Sequence, residues 1–104
     1  MIVEIVHLDL PSGTTRSEAI ELYRRSAGVW VKNKELVQKY YFYDEATCRG
    51  GGIYVWTSRQ AAQRGHGEDY RDMVRRTYGS TPRIEIFDAL LHVDPVAGTV
   101  VVLP

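Results

Sequence analysis

The chain has 104 residues, 44% of them hydrophobic, with 13 Lys plus Arg against 13 Asp plus Glu. That length closes one core and not two, so a single domain over residues 1–104 is expected, of a size that often gains stability by dimerising. Balanced charge leaves no net field to draw a polyanion, which disfavours nucleic acid, and a single cysteine, Cys48, excludes an internal disulfide and a cysteine-based metal cage.

From Met1 the sequence alternates charged and apolar residues, without a basic segment followed by an apolar run. No stretch has the length to span a membrane, so a cytoplasmic protein without membrane partners is expected. Ile2–Leu10 is rich in β-branched and apolar residues and ends at the turn cluster Pro11-Ser12-Gly13, which predicts a first strand. Its faces carry Ile2, Glu4, Val6, Leu8 and Val3, Ile5, His7, and neither is plainly polar. Thr15 with Glu18 forms a capping box, and Ala19, Leu22, Tyr23, Ser26, Ala27 and Trp30 recur at the spacing of one helix face. The helix is expected to end at Gly28 or shortly after, because glycine weakens a helix interior by about 1 kcal/mol.

Leu36–Tyr43 is aromatic and β-prone and predicts a second strand; Asp44–Gly51 turns the chain, and Gly52–Trp56 predicts a third. Thr57 or Ser58 then caps a short helix running to about Arg64, Thr57 forming a second capping-box pattern with Gln60. Gly65-His66-Gly67 interrupts it, and a further helix starts at Glu68, with Tyr70, Met73, Val74, Thr77 and Tyr78 on one stripe and Gly79 as its left-handed cap. Arg83–Val93 predicts a fourth strand, and the Thr99–Leu103 segment a fifth.

This βαββαβ order is the ferredoxin-like plan, an α+β fold with one antiparallel sheet and its helices on one side. Helices on one side only should leave polar residues on the sheet's other face. The strands are instead apolar or aromatic on both faces, as in Ile53 and Val55 opposite Tyr54 and Trp56. A second copy covering the free face, in a two-fold homodimer through sheet faces, is the simplest solution.

Gly51–Ser58, GGIYVWTS, resembles the Gly-Gly-Ile-Tyr-aliphatic-aromatic-Thr segment of the YdhR-like mono-oxygenase family, within the dimeric α+β barrel group that includes the antibiotic-biosynthesis monooxygenases. Glu4–Leu10, with its single His7, is similar to that family's opening strand, and Ile86–Pro95 to its closing strand. Tyr40, Tyr41 and Tyr43 stand where a tryptophan is common in the family. The resemblance implies a pocket in each subunit between sheet and helices. Some relatives oxidise polycyclic phenols with molecular oxygen and neither metal nor flavin, others degrade haem, and many have no assigned reaction.

Oxygenation of that kind requires a base, a stabiliser for the substrate anion and a dry cavity. Histidine is the natural base near neutral pH, and the chain has three, His7, His66 and His92. His7 shares a strand face with Val3 and Ile5, from which it could point into the pocket; its plainer reading is a core histidine. His66 lies at the helix break, on a mobile rim or simply on an exposed loop. His92 shares a strand face with Asp88, where a surface pair is the better reading. No histidine pair has a metal-ligand spacing, so no metal is expected. Trp30, Tyr41, Tyr43, Tyr54 and Trp56 come from elements that would surround one cavity and could stack on a flat aromatic ligand. Ordinary core and dimer packing is the plainer account of each one singly, and the free face would claim Tyr54 and Trp56 if it were theirs. Two functions therefore stand beside each other: a cofactor-independent monooxygenase on a small aromatic (phenol- or quinol-like) substrate, with His7 and His66 as candidate catalytic residues, or a non-catalytic dimeric small-ligand-binding or stress-related protein of the same fold. The Asn and Trp pattern of haem degradation is not evident, Asn33 being the only asparagine.

Overall fold

The computed structural model describes residues 1–104 as an α+β fold. Its elements in chain order are β1 (Ile2–Asp9), α1 (Arg16–Val31), β2 (Leu36–Asp44), β3 (Arg49–Trp56), α2 (Arg59–Gly65), α3 (Glu68–Tyr78), β4 (Arg83–Asp88), β5 (Leu91–Asp94) and β6 (Thr99–Val102). The first four strands form one antiparallel sheet in the order β2-β3-β1-β4, which is the ferredoxin-like arrangement. No helix is long and apolar enough to cross a membrane.

Register sorts every strand residue to one of two faces, because successive side chains alternate. Glu4 opposes Tyr54 of β3 on one side and Ile86 of β4 on the other, and Lys39 of β2 opposes Tyr54 from beyond. Ile86, Glu4, Tyr54 and Lys39 thus form one row across the sheet on the face covered by the helices, together with Ile2, Val6, Leu8 and Trp56. The outer face carries Val3, Ile5, His7, Tyr40, Phe42, Ile53, Val55, Glu85 and Phe87. Tyr40, Ile53 and Phe87 on it are exposed.

The three glycines before Ile53 lie inside β3 and not in the turn, which Asp44–Cys48 makes with Cys48 in the left-handed region. Each leaves space for a neighbour. At Gly51, with φ +142°, a Cβ would fall 1.8 Å from the Val6 carbonyl oxygen of β1. At Gly50 it would meet the Tyr23 hydroxyl, which accepts the Gly51 N–H and donates to the Phe42 carbonyl. This one phenol of α1 therefore ties the helix to two strands.

α1 begins at the Thr15–Glu18 capping box, with both reciprocal hydrogen bonds formed, and continues through Gly28 to Val31. Ser58, not Thr57, caps α2 by accepting the Ala61 N–H, so the Thr57–Gln60 box is not used. Gly67 starts α3, and Gly79 closes it at φ +73°. The predicted strand from Arg83 to Val93 is broken at Ala89-Leu90: β4 ends in the main sheet, and β5 turns away to pair with β6 in a separate two-stranded hairpin. Leu91, Val93, Val100, Val101 and Val102 of that hairpin are exposed.

Candidate functional site

The inner face of β3 runs from small to large, Gly50 and Gly52 followed by Tyr54 and Trp56. The glycine half admits Tyr23, while the aromatic half fills the space beneath the junction of α2 and α3. Tyr54 and Trp56 are fully buried and stack with ring centroids 5.9 Å apart. Gly65 makes this possible, since a Cβ there would sit 2.6 Å from the Trp56 indole. The sequence pattern left open which face of β3 meets the helices; it is the face with Tyr54 and Trp56.

At the centre of this apolar layer is a carboxylate. Glu4 is 1% exposed, and its Oε1 accepts the Trp56 Nε1–H at 2.8 Å. His66 Nδ1 lies 2.6 Å from the same oxygen, a charge contact off the axis of a well-formed hydrogen bond, and neither ring nitrogen has an aligned partner. A buried carboxylate without such neighbours would be costly, and the indole and imidazole together compensate it. His66 is itself buried, at the residue that ends α2, with Tyr70 of α3 4.3 Å and Tyr54 4.5 Å from its ring. It is therefore neither on a mobile rim nor on an exposed loop. Trp30, from the last turn of α1, closes the box edge-on to Tyr54, Trp56 and Tyr70.

Lys39 enters the same box from β2. Its Nζ donates to the Tyr54 hydroxyl at 2.8 Å and lies 3.8 Å from the Tyr41 ring centroid, 4.3 Å from Tyr54 and 4.4 Å from Trp30. Ring faces attract a cation, but burial opposes the charge and lowers the Lys39 pKa to about 7, with the Glu4 carboxylate partly offsetting it. Burial acts the other way on the phenols: Tyr54 is pushed far above the ordinary tyrosine range, and Tyr70 up to about 12. The tyrosines stay neutral at physiological pH, whereas Lys39 exchanges its proton there.

The box opens on a groove of about 320 Å³ between α1 and the edge strand β2, lined by Trp30, Lys39 and Tyr41 among mainly apolar side chains. Beyond Ala27 and Tyr41 the same seam widens into a hollow of about 570 Å³ that reaches Arg16 and Tyr43. No three side chains among His, Cys, Asp and Glu come together as metal ligands.

Of the residues singled out from the sequence, Trp30, Tyr41, Tyr54, Trp56 and His66 come together here. Tyr43 shares the inner face but lies in the wider hollow, where its hydroxyl donates to the Thr14 carbonyl at 2.7 Å. His7 is on the opposite face of the sheet, its Nε2 2.8 Å from Glu85 Oε1. The odd positions of β1 point away from the helices, so His7 cannot face this pocket. His92 is exposed on the hairpin, and Asp88 pairs instead with Arg59 at 3.3 Å. Glu4, Lys39 and Tyr70 were not singled out. Glu4 and Lys39 each carried a signal, a charge in register with Ile2, Val6 and Leu8 in one case and with Tyr41 and Tyr43 in the other.

No family model and no curated protein matches the chain. Solved structures do. A monooxygenase from the gene ActVA-Orf6 of Streptomyces coelicolor, in complex with nanaomycin D, aligns with a TM-score of 0.67 and 15% identity over 90% of this chain and 91% of that one. The chain has the fold of the antibiotic biosynthesis monooxygenases. SnoaB, a cofactor-independent oxygenase from Streptomyces nogalater, aligns with a TM-score of 0.62 and 16% identity over 85% of this chain and 91% of that one. A Nitrosomonas europaea protein of unknown function aligns with a TM-score of 0.70 and 12% identity over 90% and 93%. Of the acid, imidazole and amine in the box beneath α2 and α3, only the amine, Lys39, lines the groove; Glu4 and His66 are buried and do not.

Proposed function

We propose that the chain is a cofactor-independent monooxygenase acting on a small aromatic substrate, a phenol or quinol, held between α1, β2 and the sheet. The observation that carries this reading is the buried His66–Glu4 pair inside an aromatic box whose outer wall, Trp30, Lys39 and Tyr41, faces the groove. The likeness to an oxygenase described as cofactor-independent and to a monooxygenase holding nanaomycin D supports it. The Gly51–Ser58 segment points more narrowly to the YdhR-like branch.

A phenolate reduces oxygen far more readily than the neutral phenol, so removing the proton is the step the protein must promote. His66 is the base in this reading: Nε2 is unpartnered, the Glu4 carboxylate beside Nδ1 balances the imidazolium that forms, and, because His66 is buried and does not line the groove, the substrate hydroxyl must displace the Trp30 wall to reach it. Trp30 and Tyr41 supply ring faces for the substrate, which displaces water from the apolar walls as it binds. For a phenol oxidised at the ring carbon opposite its hydroxyl, one oxygen atom of O2 becomes the new carbonyl and the other leaves as water. All the electrons come from the substrate, so no further reductant enters the balance.

The working unit in this proposal is a homodimer through the outer sheet faces. Tyr40, Ile53 and Phe87 form an exposed apolar surface there. Oxygen uptake with a panel of dihydroxyaromatics tests the function: consumption that is abolished in His66→Gln and retained in His7→Gln is expected. No turnover across the panel overturns it. Light scattering tests the assembly, with twice the chain mass expected at micromolar concentration.

A further inference from the structure

Lys39 is the one half-buried cation in the box, and no carboxylate touches it. Arg25, Arg59, Arg64 and Arg75 each contact an acidic side chain at the surface. Lys39 instead uses one of its three N–H donors on Tyr54 and presents itself to a groove whose other walls are mostly apolar. The groups around it are Tyr41 on its own strand, Trp30 on α1, Tyr54 on β3 and, one strand further in, Glu4 on β1 with His66 and Tyr70 from the α2–α3 junction. Glu4 is already engaged by Trp56 and His66 and acts on Lys39 only through space. Ring faces and one hydroxyl partly compensate this half-buried ammonium, and its remaining donors on the groove side suit it to receive an anion.

We infer that Lys39 is the residue that holds the substrate's oxyanion: a flat aromatic ring lies in the groove against Trp30 and Tyr41, and its deprotonated oxygen accepts hydrogen bonds from Nζ. This rests on the proposed oxygenase reading and divides its labour, His66 taking the proton and Lys39 keeping the charge. Charge-assisted hydrogen bonds to a partly desolvated ammonium are stronger than those in bulk water, so the anion gains more here than it would in solution. Burial holds the Lys39 pKa to about 7, and a phenolate formed beside it favours the ammonium form, so the pair forms as a unit.

4-Nitrophenol is the probe, because its phenolate alone absorbs near 400 nm and the spectrum reports the bound form without any turnover. Titrated into the wild-type protein, it is expected to bind as the phenolate and to keep the 400 nm band to lower pH than in free solution. Lys39→Met is expected to weaken phenolate binding about tenfold to hundredfold and to take up the neutral phenol instead. Lys39→Arg, which keeps the charge, is expected to restore the band, and His7→Gln, on the outer face of the sheet, to leave it unchanged. Wild-type protein that does not bind the phenolate, or Lys39→Met protein that binds it equally well with the same spectrum, overturns the inference. The wild-type pH titration needs no variant to fold. Phenolate binding without oxygen uptake on any substrate sinks the oxygenase reading and leaves the anion site standing; oxygen uptake with an unaltered pH profile in Lys39→Met does the reverse.

Discussion

The sheet carries a histidine–carboxylate pair on each face, and the two are nearly identical in contact distance. On the outer face His7 and Glu85 meet at 2.8 Å with side chains 31% and 48% exposed; on the inner face His66 and Glu4 meet at 2.6 Å with side chains 2% and 1% exposed. In the single chain water screens the first pair and holds its members cheaply when apart, so there it contributes little to stability. Around the second pair there is no water to substitute for a lost partner: Glu4 also holds the Trp56 indole, and aromatic rings enclose His66. What distinguishes a surface ion pair from a candidate catalytic dyad in this molecule is therefore the side of the sheet on which it lies, and not its chemistry or its spacing.

The sharpest way to break the comparison is through activity. Losing a positioned general base costs 10²–10⁴-fold, so oxygen uptake by His66→Gln is expected to fall by about 100-fold or more, and that of His7→Gln by less than about twofold. Equal losses would put the outer face in the chemistry. Stability is the next scale. Glu4→Ala strands the Trp56 N–H and His66 in the core and is expected to cost about 2–4 kcal/mol in urea unfolding, whereas Glu85→Ala costs about 1 kcal/mol or less. Similar midpoints for the two variants would remove the distinction between the faces.

Lys39 sharpens it further, as the inner-face cation whose proton is held least tightly. The folded protein binds that proton with a pKa of about 7, against an ordinary value of 10.5. Between those values the unfolded chain holds more protons, so this group makes the native state more stable as pH rises from about 7 toward 10.5, and below 7 its burial penalty is at its full size. Lys39→Met is expected to have a higher urea midpoint than wild type at pH 6 and to lose most of that lead by pH 10. A lead independent of pH would mean that Lys39 is not desolvated. The smallest effect is expected at the turn of the exposed hairpin: Val96 is fully exposed there, and Val96→Ser should shift the midpoint by less than about 0.5 kcal/mol.

Local chemistry was readable in the chain. Thr15 and Glu18 mark a helix start because each satisfies the other's backbone N–H, and Gly79 marks a stop because it takes the left-handed conformation easily. Gly65-His66-Gly67 marks the break that separates α2 from α3. The element order and the alternation of β3 followed, and with them the ferredoxin-like plan. The end of the fourth strand did not. Arg83–Val93 is apolar enough to continue as one strand, and only pairing partners decide that β4 stays with β1 while β5 joins β6.

The candidate site divides in the same way. Trp30, Tyr41, Tyr54, Trp56 and His66 were visible as residue types suited to holding an aromatic ligand. Glu4 and Lys39 passed for ordinary strand charges, and His7 stood on equal terms with His66. Alternation with period two says that a strand has two faces but not which one is covered, and here both faces are apolar, so the sequence held no asymmetry to choose by. By itself it determined the helices, the order of the first elements along the chain and the chemical repertoire, all of which arise from neighbours within a few residues. Only the tertiary structure placed Glu4 beneath His66 and turned His7 to the far side, because those positions depend on register between strands and on which face the helices cover.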